Sequence, residues 1–66
     1  MRRLSQEEVH KAVEEIMEKH GQDGTVEVHM VEGEALASYF KDEDAEHPLY
    51  IYREADLAKL LEERNG

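Results

Sequence analysis

With no cysteine among its 66 residues, this chain has neither a disulfide nor a thiolate–metal site to hold it folded. A domain of this size buries only about 60% of the surface its unfolded chain exposes, so its stability rests on one modest apolar core. The core residues must therefore be sought at helical or strand spacing, and the length admits a single domain spanning residues 1–66.

The clearest such spacing lies between Ser5 and His20. Ser5 and Glu8 form an S-x-x-E capping box, in which each side chain satisfies a backbone donor left free by the first helical turn. Leu4 and Val9 stand at the hydrophobic-staple positions around it. Val9, Ala12, Val13, Ile16, Met17 and His20 then recur on one helical face. Glu7–Lys11 and Glu15–Lys19 are i,i+4 pairs in the favourable order, and Gly21 supplies the stop.

After a turn at Gln22-Asp23-Gly24, the alternation of Val26, Val28 and Met30 with Glu27, His29 and Val31 predicts a half-buried strand over 25–32. Glu32-Gly33 reads as a hairpin turn. Residues 34–41 carry two patterns. As a strand, Leu36, Ser38 and Phe40 face the core while Ala35, Ala37 and Tyr39 face out. As a helix, Leu36, Ala37 and Phe40 share a side, which gives the order α-β-α-β-α. The strand is preferred, because the acids at 42–44 oppose a helix C-terminus and two parallel strands make too small a sheet. Leu49–Arg53 reads as a short strand, with Leu49 and Ile51 on one side and Tyr50 and Tyr52 on the other. Glu54–Arg64 reads as a helix with Leu57, Leu60 and Leu61 as its apolar stripe, ended by Asn65-Gly66.

The expected fold is therefore α+β, in the order α-β-β-β-α: a three-stranded antiparallel meander with both helices on one face. This order resembles that of the double-stranded-RNA-binding domain. That family opens its last helix with lysines, where this chain has Glu54, Ala55 and Asp56, so the resemblance is one of element order and implies no RNA binding.

The charge points the same way. Seventeen acids against eight bases leave a net charge of −9, which opposes direct contact with nucleic acid or an anionic membrane and favours a protein partner with a basic surface. No apolar run approaches the roughly 20 residues of a membrane span, and Met1-Arg2-Arg3-Leu4 leads into polar sequence without a signal-peptide core. A cytoplasmic protein is expected.

Catalytic patterns are not evident. No Gly-rich phosphate loop, nucleophile elbow or His-Glu-x-x-His motif occurs, so neither enzymatic activity nor a cofactor is expected. Asp42-x-Asp44-x-Glu46 echoes the start of a calcium loop, but His47 stands where such a loop needs glycine and Arg53 where it needs glutamate. His10, His20 and His29 fall on different elements. Weak divalent-metal binding is thus a minor reading.

Two candidate binding features remain. From Asp23 to His47 the only base is Lys41, and the acids culminate in the loop residues Asp42, Glu43, Asp44 and Glu46. Carboxylates spread over a rigid sheet can imitate a phosphate backbone, although charge runs also serve simply as solvated surface. On the expected open face of the sheet, His29, Val31, Ala35, Ala37, Tyr39, Tyr50 and Tyr52 would form an aromatic patch. It would serve a partner, or a homodimer of an otherwise monomeric chain. The function expected is a non-catalytic acidic binder or inhibitor that occupies a basic, nucleic-acid-handling surface of its partner. In size and charge this is similar to phage- and plasmid-encoded inhibitors, anti-CRISPR proteins among them. The rival reading is a computationally designed domain with no biochemical activity, suggested by the complete capping signature.

Overall fold

The computed structural model describes residues 3–65 and shows the order α-β-β-β-α: α1 (Gln6–His20), β1 (Thr25–Val31), β2 (Glu34–Phe40), β3 (Tyr50–Arg53) and α2 (Glu54–Asn65). Of the pair Asn65-Gly66 expected to end the last helix, Asn65 still belongs to α2 and Gly66 lies outside the described residues, as do Met1 and Arg2. Helix α1 starts where its capping box puts it. Ser5 Oγ accepts the Glu8 N–H at 3.2 Å, and Glu8 Oε1 accepts the Ser5 N–H at 3.0 Å. It ends at Gly21, which takes φ 126°, while its N–H donates to the Met17 carbonyl at 2.8 Å.

The strands form one antiparallel sheet in the order β1-β2-β3. Glu32 and Gly33 join β1 to β2 with φ values of 52° and 78°, the paired left-handed conformation of a two-residue type I′ turn. That turn sets Val31 opposite Glu34, and the register follows residue by residue to Thr25 opposite Phe40. Strand β2 lies in the centre, paired with β1 on one side and β3 on the other.

Both helices pack on one face of the sheet, as the sequence indicates. The core consists of Ala12 and Ile16 from α1, Ala35, Ala37 and Tyr39 from β2, and Leu57, Leu60 and Leu61 from α2. Leu4, Val9, Met17, Val26 and Tyr52 pack around it. Ile16 and Leu57 are its largest fully enclosed side chains, so the apolar centre is small.

The facing of β2 and β3 is the reverse of the sequence expectation. Ala35, Ala37 and Tyr39 point under the helices, at 4%, 0% and 4% exposure, and Leu36 and Phe40 point to the opposite side. Residues directly opposite one another in an antiparallel pair share a face. Val26, Val28 and Met30 pair with Tyr39, Ala37 and Ala35, so the alternation of β1 and the two-residue turn together compel this arrangement. The alanines suit it, since short side chains on the central strand let the helices approach the backbone closely. Tyr52, opposite Ala37, and Tyr50, opposite Tyr39, belong to the same side.

Candidate interaction surface

The expected tyrosine patch is therefore not an open surface. Tyr39 lies in the core, and its hydroxyl donates to the carbonyls of His20 (3.2 Å) and Gly21 (3.0 Å), satisfying acceptors at the C-terminal end of α1. Gly24 makes room for this ring: a Cβ there would come within 2.3 Å of it. The Tyr52 hydroxyl is hydrogen-bonded to His20 Nε2, and burial pushes its pKa upward, which disfavours the phenolate. Tyr50 stacks on the His20 ring at a centroid distance of 4.0 Å and 18° between planes. Three tyrosines of the sheet thus converge on His20 and fasten the end of α1 to it. Tyr39 and Tyr52 are thereby withdrawn from the face expected to serve a homodimer, whereas Tyr50 stays 46% exposed.

His29 and Val31 do lie on the open face, where the register sets them with Leu36, Ser38, Phe40 and Ile51. Val31 and Ile51 are 49% and 57% exposed, and so is Leu49, at 57%, just before β3. Leu36, Phe40 and Ile51 are the surface residues that strand alternation alone missed. The signal for them was present in the two-residue turn, which ties the facing of β2 to that of β1.

Carboxylates flank this apolar strip. Glu27 lies on the same face, with its Oε2 3.6 Å from His29 Nε2. At one end of the sheet the segment 41–49 connects Phe40 to β3, and its Leu49 N–H bonds the Tyr39 carbonyl at 2.8 Å. Asp42, Glu43, Asp44 and Glu46 are all exposed there, next to exposed Lys41 and His47. The segment is shaped locally. Asp42 Oδ1 accepts the Asp44 N–H at 3.0 Å, and the Asp42 carbonyl accepts the Ala45 N–H at 3.3 Å. The four loop acids predicted as a site therefore stand together. His29 and Val31 stand apart from them, toward the other end of β1.

At that other end the polar groups are spent on structure. Glu34 accepts from Arg53 Nε and from a second guanidinium nitrogen, each at 3.0 Å, and from the Glu54 N–H at 3.3 Å. The hydrogen bonds from Arg53 hold the Glu34 carboxyl below the ordinary glutamate range, and Arg53 is pushed upward in turn. Glu54, only 4% exposed, accepts the Ala35 N–H at 3.0 Å. Among the described residues, no three or more histidine, aspartate or glutamate side chains gather into a group that could hold a metal ion. No described helix is long and apolar enough to cross a membrane.

No family model matches the chain, and neither curated proteins nor solved structures give a match.

Proposed function

We propose that the protein is a non-catalytic interaction module that seats its open sheet face and acidic loop on a basic surface of a protein partner. A groove that ordinarily holds nucleic acid is the surface of that chemistry. The observation that carries this reading is the adjacency of two features: an apolar strip of Leu36, Phe40, Leu49 and Ile51, and four exposed carboxylates at its end. Apolar side chains at the centre and charges at the rim are how specific interfaces divide affinity from orientation. A purely solubilising surface needs the charges but gains nothing from the exposed leucine and isoleucine. The hydroxyl–imidazole contact of Tyr52 with His20 does not argue for catalysis. It lies among packed rings, and the raised pKa of the tyrosine opposes its ionisation.

The test is capture from bacterial lysate on the immobilised domain at low and high salt, with retained proteins identified by mass spectrometry against a charge-matched control. A basic protein held at low salt and released at high salt is the expected result. Replacing Asp42, Glu43, Asp44 and Glu46 together by their amides should abolish capture and leave the circular dichroism unchanged. Capture that survives this replacement would rule the reading out.

A further inference from the structure

The outer edge of β1 is the second unoccupied surface, and it differs in kind from the sheet face. A type I′ turn closes with a hydrogen bond between its flanking residues, here Val31 and Glu34, and hydrogen-bonded pairs alternate from there along the ladder. His29 and Glu27 thus direct their backbone groups toward β2, while Val26, Val28 and Met30 direct theirs outward. Among the described residues, no backbone or side-chain hydrogen bond from outside the sheet reaches these outward groups. The side chains are exposed too. Val28 and Met30 point to the helix side, yet they are 42% and 64% exposed, because the helices leave this edge uncovered. Together with Leu4 and Val9 they line a cleft of about 410 Å3. Natural edges are usually blunted by charged side chains, above all lysine, or by proline, a bulge or brevity. In Thr-Val-Glu-Val-His-Met-Val the one such device is Glu27, which lies on the open face and not among the apolar side chains of the helix side.

We propose that this edge pairs with β1 of a second copy of the chain, antiparallel about a two-fold axis at Val28, to make one continuous six-stranded sheet. The strand is its own complement in that register. Val28 meets Val28, and Val26 meets Met30 of the second copy, so the outward backbone groups of one strand find those of the other. On the helix side the contact is wholly apolar. On the open side, Glu27 faces His29 of the second copy and His29 faces Glu27, which gives two opposed pairs of matching polarity. A shift by one residue destroys both features, setting outward backbone groups against inward ones. The two-fold axis stands perpendicular to the sheet, so both helix layers lie on one side and the open faces join on the other.

Electrostatics sets the conditions. Two chains of net charge −9 repel, and Asp23 and Glu32 approach one another across the ends of the paired strands. Self-association therefore strengthens as salt rises, opposite in sign to the capture of a basic partner. The two readings can fail independently.

The full chain should be followed by sedimentation equilibrium at about 20 mM and about 300 mM salt. A monomer–dimer equilibrium that tightens severalfold at the higher salt is expected. The absence of cysteine allows a register test. Hydrogen-bonded antiparallel pairs have Cα atoms about 5.5 Å apart, within the range a disulfide spans. Val28→Cys should form a covalent dimer under mild oxidation, whereas Val31→Cys, opposite Thr25 of the second copy, and Ile51→Cys, on the far edge, should not. A chain that stays monomeric at about 1 mM overturns the proposal, as does cross-linking through Cys at 31 or 51 in preference to 28.

Discussion

Glu34 ties β2 to both β3 and α2, since one carboxylate accepts from two nitrogens of Arg53 and from the first amide of α2. Its pKa lies below the ordinary glutamate value chiefly because Arg53 hydrogen-bonds to the ionised form. A carboxyl whose folded pKa is depressed stabilises the protein above its unfolded pKa. That contribution disappears as pH falls through the folded value. The wild-type chain should therefore lose stability as pH drops below about 4.5, and Glu34→Gln should flatten that loss, while being the less stable of the two near neutrality. Urea unfolding at several pH values from about 6 to about 3 measures both slopes, and parallel slopes would show that the carboxylate is not the titrating group. The effect at neutral pH is small, since the arginine is largely in solvent, where water and salt screen the pair.

At the scale of elements, β2 decides how the layers meet. Its two alanines lie directly under the helices, and Tyr39 reaches past them to the carbonyls that end α1. Tyr39→Phe keeps the ring and removes the donor, leaving two partly buried carbonyls without it. It should cost about 1 to 2 kcal/mol in urea unfolding with no change in m, and a cost near zero would mean that water replaces the hydroxyl. The bounds of α1 and of the β1–β2 junction could be read from the sequence because explicit signals mark them: the capping box at Ser5 and Glu8, Gly21, and the Glu32-Gly33 turn. Residues 34–41 carry no such signal and fit a helix as well as a strand. The facing of β2 was not read from alternation, since Leu36 and Phe40 are larger and more apolar than Ala35 and Ala37. Hydrophobicity ranked them as core residues, but a two-residue turn leaves no freedom once Val26 and Val28 are placed inward. That reversal put Tyr39 and Tyr52 on the open face instead of in and against the core, and hid Leu36, Phe40 and Ile51. The loop acids were found because charge in a connecting segment needs no facing to be exposed.

In the whole molecule the joints are unequal. Residues 41–49 separate β2 from β3, and two residues separate β1 from β2, but β3 ends at Arg53 and α2 begins at Glu54 with nothing between them. The Arg53 N–H is taken by Asp56 Oδ2 at 3.0 Å and the Glu54 N–H by Glu34, so both amides at the junction itself are paired as the backbone changes from extended to helical. A strand that becomes a helix in one step cannot detach and leave the helix seated, nor can the helix unwind its first turn without tugging the strand. In native-state hydrogen exchange, the amides of β3 and α2 should therefore share one opening free energy and one dependence on denaturant. Helix α1, joined to the sheet through the separate segment 21–24, should exchange on its own schedule. An edge strand of four residues would ordinarily fray first; here it borrows the lifetime of the helix it turns into.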